Sequence, residues 1–194
     1  VIKRAAVTVR RKSAIGQIAT TAGEGVDLLR VFIGDVVAAQ GEGPVLQLVV
    51  RRQIQHPGRL EGLVVGHVGD SRVYHLSQGE LIQVTRDQTL VNRLVELGSI
   101  TAEEAEDHPR KNELQQAIGG QPDVEVGIYH ARVLPGDWVF VCSDGLTNHI
   151  SNNDLKTMLA NEAQSAQMAA RRLVNLANIE GATDNATVVV IRCT

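Results

Sequence analysis

The stretch Leu63-Val-Val-Gly-His-Val-Gly-Asp-Ser-Arg-Val-Tyr-His-Leu76 decides the fold class of this chain. A short apolar run ends in glycine, and the segment from Ser71 to Leu76 then alternates between apolar and polar residues, which is typical of a strand. Gln78-Gly79 predicts a tight turn, and Leu81 to Val84 predicts the next strand. Strands joined by such short turns indicate an antiparallel meander and argue against a repeated βαβ wind.

Helical patterns follow this meander. Apolar residues recur at helical spacing from Leu90 to Leu97, where Asp87 is a candidate for capping the start and Gly98 for closing the end. Thr101-Ala-Glu-Glu104 has the form of a capping box, which predicts a second short helix directly afterwards. The sequence therefore predicts a pair of short helices inserted between strands.

The remainder of the chain alternates in the same way. The patterns predict a strand at 124–128, a turn at 134–137, a buried strand at 138–142, helices at 153–159 and 164–177, and a closing strand at 186–191. Strands joined mostly by tight turns, with helices grouped in pairs between them, predict an α+β class with layered architecture. Trp138 and Cys142 are expected in the core, and His67 and His75 are expected as packed or surface residues.

Composition excludes several classes of protein. The chain has 194 residues, of which 43% are hydrophobic and 21% charged, as in soluble globular domains, and we expect one domain over 1–194. The apolar stretch 26–39 is interrupted by charges, so no membrane span is expected. Two cysteines are too few for a disulfide framework, which favours a reducing compartment and hence the cytoplasm.

Residues 1–60 differ in kind from residues 61–194. They contain nine lysines or arginines against four acids, although the formal net charge of the whole chain is −3. Because these basic residues are scattered and Phe32 is the only aromatic residue among them, no nucleic-acid partner is expected. Apolar clusters at 28–33 and 46–50 fit a helix or a strand, since glycines interrupt both periods.

Three aspartates stand where predicted strands begin or end: Asp70, Asp144 and Asp184. Carboxylates at the rim of a sheet can converge on a hard cation. Each alone is more simply a turn residue, because Asp-Gly and Asp-Asn are common turn dipeptides. Asp144, however, directly follows a buried strand, where an uncompensated charge is expensive. The three together therefore predict a metal site.

Several strings, in order and approximate spacing, resemble the metal-dependent serine/threonine phosphatases of the type 2C family, most closely the small bacterial members. The resemblance covers about residues 61–194. The strings are Gly66-His-Val-Gly-Asp-Ser-Arg72, Thr85-Arg-Asp87, His108-Pro109, the segment from Asn112 to Gly119, Pro135-Gly-Asp137, Cys142-Ser-Asp-Gly-Leu-Thr147 and Asp184-Asn-Ala-Thr187.

The resemblance implies a fold, a reaction and a set of ligands. The fold is an α-β-β-α sandwich of two antiparallel sheets flanked by helix pairs. The reaction is hydrolysis of phosphoserine or phosphothreonine in proteins by a water activated between two Mn²⁺ or Mg²⁺ ions, without a phosphoenzyme. Asp144 and Asp184 resemble ligands of the binuclear pair, and Asp70 resembles a ligand of a third ion. Arg72 is expected to partner a nearby carboxylate, and Asn185 to fix the Asp184 turn.

The implied partners are phosphoproteins, as substrates of a serine/threonine kinase, and the implied state is a monomer. The family's first metal-binding segment, Asp-Gly-x-Gly-Gly-His, is missing from residues 1–60, where the nearest strings are Glu24-Gly25 and Glu42-Gly43. In addition, Gln88 stands where a histidine is usual and Asn148 where an aspartate is usual. These departures predict poor metal binding and weak activity, and no catalytic residue is assigned.

Two readings of the missing segment stay open. Residues 1–60 are either a diverged part of a member that kept the fold, or unrelated sequence joined to the phosphatase part, for instance by a shifted reading frame. The rival function is a non-catalytic phosphatase-like module that recognises a kinase or a phosphoprotein.

Overall fold

The computed structural model describes residues 5–9, 17–23, 26–34, 45–51, 61–117, 123–159, 165–182 and 184–193, which form ten strands and five helices. The strands are β1 Ala5–Val9, β2 Gln17–Gly23, β3 Val26–Gly34, β4 Val45–Arg51, β5 Glu61–His67, β6 Arg72–Ser77, β7 Glu80–Gln83, β8 Gly127–Val133, β9 Trp138–Cys142 and β10 Thr187–Arg192. The helices are α1 Leu90–Glu96, α2 Ala102–Glu106, α3 Asp144–Thr147, α4 Asn152–Leu159 and α5 Ala166–Ile179.

All pairings between these strands are antiparallel. One sheet has the order β1-β10-β9-β6-β7, and two smaller sheets have the orders β2-β3-β4 and β5-β8. Strand β4 lies alongside β5, so the two smaller sheets adjoin. The predicted α+β class with antiparallel sheets is therefore confirmed.

Strand β9 shows why the five-stranded sheet, called the central sheet below, is buried on both faces. Its five residues, Trp-Val-Phe-Val-Cys, are all apolar and all buried. Because successive side chains point to opposite faces of a strand, Val139 and Val141 pack with Leu63 and Val65 of β5, while Phe140 faces the opposite side. The five-stranded sheet therefore separates two cores. One lies between it and the β5-β8 sheet, and the second lies on its opposite face.

Helices α4 and α5 cover this second core. Leu155 of α4 and Leu173 of α5 are fully buried in the same apolar cluster as Phe140. Helix α5 begins at an N-cap, Ser165, whose hydroxyl accepts a hydrogen bond from the Met168 amide. With 14 residues, α5 is the longest helix described, and no helix in the described ranges has the length and apolar character needed to cross a bilayer.

Local turn chemistry is as the sequence predicts. Gln78 and Gly79 both have positive φ, 50° and 81°, which a tight hairpin turn between β6 and β7 requires. Both hydrogen bonds of the capping box are present: the Thr101 hydroxyl accepts from the Glu104 amide, and the Glu104 carboxylate accepts from the Thr101 amide. Gly98 has φ 67° just beyond the C-cap of α1, where the left-handed conformation favours glycine.

Three local predictions are wrong. Asp87 does not cap α1, because its carboxylate is bound to Arg72 and the cap is Thr89. The strand predicted at 124–128 runs over 127–133 instead, because its extent is set by pairing with β5. The turn expected at Asp144-Gly145 is the first turn of α3.

The apolar clusters at 28–33 and 46–50, for which helix and strand stayed open, lie in β3 and β4. Residues 5–9 pair with β10 as an edge strand of the central sheet. The single-domain organisation of 1–194, with its division near residue 60, stays a prediction.

Candidate metal centre

A cavity of about 470 Å³ lies where the ends of several strands meet helices α1, α2 and α3. Carboxylates, basic side chains and amides dominate its lining: Asp70, Arg72, Asp87, Asn92, Glu106, Lys111, Asn112, Asp144 and Asn148. Two of the three predicted metal ligands, Asp70 and Asp144, therefore face one cavity.

Asp70 is placed by a turn between β5 and β6. The preceding Gly69 has φ 101°, a conformation that favours glycine. Its amide donates to Oε1 of Gln88 and its carbonyl accepts from the Gln88 amide, both at 2.8 Å. Burial, together with the negative charges of Asp144 and Asp87, raises the pKa of Asp70 to about 6. The carboxylate is thus held in a position where a cation would stabilise its charged form.

Asp144 begins helix α3 directly after β9. Its Oδ1 accepts a hydrogen bond of 2.8 Å from the Gly145 amide. The preceding Ser143 ties this turn to β10, since its hydroxyl donates to the carbonyl of Asn185 and accepts from the amide of Thr187. The turn that carries Asp144 is therefore held at the rim of the central sheet between β9, which precedes it in the chain, and β10, which pairs with β9.

Gly145 allows the Asn185 backbone to come close to this turn. A Cβ added at Gly145 would stand 2.4 Å from the Asn185 carbonyl oxygen. Only a residue without a side chain fits there, and Gly145 itself is buried. The segment that carries Asp184 is thus packed directly against the segment that carries Asp144.

Asp184 is exposed, and its Oδ1 accepts a 2.6 Å hydrogen bond from the Asn185 amide, so the two residues form one turn as predicted. Asp184 is not among the residues that line the cavity. Within the described ranges, no three His, Cys, Asp or Glu side chains are grouped so as to hold a metal ion. A shared ion between Asp144 and Asp184 therefore stays a prediction.

Arg72 and Asp87 form an ion pair at the wall of the cavity, in which Asp87 is buried and Arg72 is partly exposed. The Arg72 Nε–Asp87 Oδ2 and Nη2–Asp87 Oδ2 distances are 2.9 and 2.7 Å. Burial alone would lower the pKa of Arg72, but the hydrogen bonds and charge of Asp87 outweigh it and raise that pKa. Asp87 is the carboxylate partner expected for Arg72.

Other chemically active side chains belong to the scaffold. Burial raises the pKa of Cys142 to about 12, so this thiol stays protonated in the core. His67 is fully buried with its ring edge-on to Tyr129 at 6.2 Å. His75 is buried, with its Nε2 2.7 Å from Oδ2 of Asp137. The expected packed roles of Cys142 and both histidines are confirmed.

The donor chemistry of the cavity fits a hard divalent cation. Mg²⁺ and Mn²⁺ prefer oxygen ligands, and Asp70, Asp144 and the Asn148 amide all border the same space. Glu24 and Glu42, the nearest substitutes for the missing first metal-binding segment, lie outside the described residues. The donor types in the described part of the site therefore suit a divalent cation, and the binuclear pair stays a prediction.

Two features of the site were missed by sequence reasoning. Gln88 was noted only as a departure from the family, and Lys111 and Asn112 were not assigned to the cavity that they line. The Asn112 string was recognised as a motif, which was the available signal for its position. No local signal indicated Lys111.

No family model matches the chain. Among curated proteins, it is 38% identical over 128 residues to a putative protein phosphatase 2C-type of Streptococcus pyogenes, which is 66% of this chain and 52% of that protein. It is 41% identical over 133 residues to the serine/threonine protein phosphatase PstP of Mycobacterium tuberculosis, 69% of this chain and 25% of PstP. The chain thus spans about half the length of the streptococcal relative and a quarter of PstP.

Solved structures of phosphatases resemble this chain over nearly its whole length. The serine/threonine phosphatase of S. agalactiae has a TM-score of 0.79 at 25% identity and covers 98% of this chain and 99% of that one. The catalytic domain of PstP in complex with two manganese ions has a TM-score of 0.69 at 25% identity, with 97% of each chain covered. Together with the curated relatives, these similarities show that the chain belongs to the type 2C family of serine/threonine protein phosphatases.

Proposed function

We propose that this chain hydrolyses phosphoserine and phosphothreonine in proteins with Mn²⁺ or Mg²⁺ as cofactor. The observation that carries the proposal is the convergence of Asp70 and Asp144, from two separate strand ends, on one cavity. Relatives named as serine/threonine protein phosphatases support the reaction class, and the PstP structure with two manganese ions supports the cofactor.

The charges of the cavity explain why a cation is needed. A phosphate ester is an anion, and two carboxylates facing the same space would repel it. Asp70 and Asp144 would hold the cation, and Asp184 is proposed to complete its ligands from the adjoining turn. When bound, the cation neutralises this charge and supplies an activated water. Arg72 remains with Asp87 and keeps the cavity wall in place.

Lys111, which also lines the cavity, is proposed to attract the phosphate. Its Nζ donates to the Glu106 carbonyl at 2.9 Å, which is a neutral partner, so the positive charge is not cancelled there. Phosphoproteins modified by a serine/threonine kinase are the proposed substrates. A monomer in the cytoplasm stays the predicted state, on the grounds given by the sequence.

The second candidate, a non-catalytic module that binds a phosphoprotein or a kinase, is favoured by two observations. No described group of three metal-ligating side chains is present, and the first metal-binding segment is missing from residues 1–60. Such a module would retain the cavity and Lys111 while binding a cation poorly.

Hydrolysis of a phosphothreonine peptide with Mn²⁺ tests the proposal. We expect Mn²⁺-dependent turnover at least about a thousandfold below that of a relative with the full first segment, because the aspartate and the histidine of that segment would each contribute several kcal/mol and about 1.4 kcal/mol is tenfold in rate. Asp144→Asn should abolish it. Asp154→Asn, which changes an exposed carboxylate of α4, is the matched control and should retain turnover.

The outcomes separate the two candidates. Turnover lost in Asp144→Asn and kept in Asp154→Asn supports the enzyme. A folded chain that binds the phosphopeptide without Mn²⁺-dependent turnover overturns it in favour of the module.

A further inference from the structure

All four polar groups of Gln88 are hydrogen-bonded. Its amide N–H donates to the Gly69 carbonyl and its Oε1 accepts from the Gly69 amide, both at 2.8 Å. Its Nε2 donates to the Glu125 carbonyl at 2.8 Å, and its own carbonyl accepts from the Gln115 amide at 2.8 Å. The Gln88 side chain thus joins Gly69 to Glu125, and the Gln88 backbone carbonyl holds Gln115.

These segments matter because of what each carries. Gly69 immediately precedes Asp70, so both backbone groups on one side of that aspartate are fixed by Gln88. Gln115 closes a loop whose earlier residues, Lys111 and Asn112, line the cavity. The contact continues beyond Gln88, because the Leu90 amide donates to the Glu113 carbonyl at 2.9 Å.

We propose that Gln88 is a positioning residue whose side chain couples the turn before Asp70 to the segment at Glu125, while its backbone carbonyl holds the loop 111–115 at Gln115. The proposal rests on the proposed function insofar as Asp70 is a metal donor there. Gln88 acts through Gly69 and the loop backbone and is not among the residues that line the cavity. Loss of the Gln88 side chain should free both the Gly69 backbone before Asp70 and the segment at Glu125 that precedes β8. The loop at Gln115, which is bonded to the Gln88 backbone, should loosen as a result.

The chemistry of the side chain defines which substitutions test this role. The Gln88 amide supplies one acceptor, to Gly69, and one donor, to Glu125. A neutral imidazole also has one acceptor and one donor, whereas methionine has similar length and can replace neither bond. Gln88→His should therefore retain the clamp, and Gln88→Met should break it without a large change in volume.

Two measurements on the full chain apply to both variants, with exposed Gln167→Met on α5 as the matched control. Hydrogen exchange of the metal-free chain reports the clamp itself, and calorimetric titration with Mn²⁺ reports its effect on the site. In Gln88→Met we expect faster exchange at 67–71 and at 124–127, the two segments bonded to the side chain, and Mn²⁺ binding weakened about 10- to 100-fold, as for other groups that orient metal ligands. Gln88→His and Gln167→Met should match the parent chain in exchange and lie within threefold of it in affinity.

The coupling is overturned if Gln88→Met changes exchange in only one of the two segments, or binds Mn²⁺ within twofold of the parent. It is also overturned if Gln88→His behaves like Gln88→Met, since rescue by a donor–acceptor side chain is required. If the parent itself binds no Mn²⁺, the proposed function fails, and the exchange measurement still decides the clamp. Near-ultraviolet circular dichroism of Trp138 confirms that each variant is folded.

Discussion

Replacement of Gly145 by alanine tests the packing on which the site depends. The new Cβ would stand 2.4 Å from the Asn185 carbonyl oxygen and 3.0 Å from the Asn185 carbonyl carbon. Ordinary van der Waals contact begins near 3.4 Å, so the two backbones have to separate by about 1 Å. Both contacts are with backbone, which cannot rotate away as a side chain can.

The cost follows from this overlap. Forcing an extra methyl group into a packed site costs about 1–3 kcal/mol. For a chain of this size each kcal/mol lowers the melting temperature by about 2–4 °C, so we expect a fall of about 2–12 °C in thermal unfolding followed by circular dichroism. Mn²⁺ binding should weaken as well, because the displaced turn carries Asp184 beside Asp144.

Gly181→Ala is the control for this experiment. Gly181 has φ 84° with nothing within 4 Å of an added Cβ, so alanine there adds about 1 kcal/mol of backbone strain and no clash. It should lower the melting temperature slightly and leave Mn²⁺ binding unchanged. A Gly145→Ala variant that melts within 1 °C of the parent chain and binds Mn²⁺ equally well would show that the two turns are not tightly packed there.

Two further predictions concern buried charge. Arg72→Met leaves the Asp87 carboxylate, 8% exposed, without its guanidinium, and should lower the free energy of unfolding by about 3–5 kcal/mol in urea denaturation; a loss below 1 kcal/mol would contradict the ion pair. Burial would raise the pKa of Asp137, but hydrogen bonds led by the Leu134 amide and including His75 outweigh it and lower that pKa. A carboxylate with a lowered pKa stabilises the fold at pH values above the unfolded pKa of about 4, and this stabilisation is lost as the pH falls through the folded pKa. The difference in free energy of unfolding between the parent chain and Asp137→Asn should therefore shrink from pH 7 to pH 3. A constant difference would contradict this assignment.

Short-range signals predicted much of the fold. The five apolar residues of β9 predicted a strand buried on both faces, and the Thr101 capping box predicted the start of α2. Both depend on residues within one element, so sequence alone contains the information. The extent of β8 did not follow in this way, because pairing with β5, about 60 residues earlier in the chain, decides where it begins and ends.

The same distinction applies to the site. Asp87 looked like a helix cap because Leu90 follows it at the right spacing, but Arg72, 15 residues away, takes its carboxylate. The convergence of Asp70 and Asp144 was predicted from strand ends and is observed at one cavity. Gln88 could be recognised as unusual in sequence, whereas its bonds to Gly69 and Glu125 depend on tertiary structure.

The central claim is that the carboxylates at the rim of the central sheet bind a divalent cation. An anomalous difference map from crystals of the chain grown with Mn²⁺ tests it most directly. We expect a manganese peak within about 2.5 Å of a carboxylate oxygen of Asp144 or Asp70, inside the cavity that both residues line. A well-ordered cavity without a manganese peak, or manganese bound only elsewhere on the chain, would contradict it.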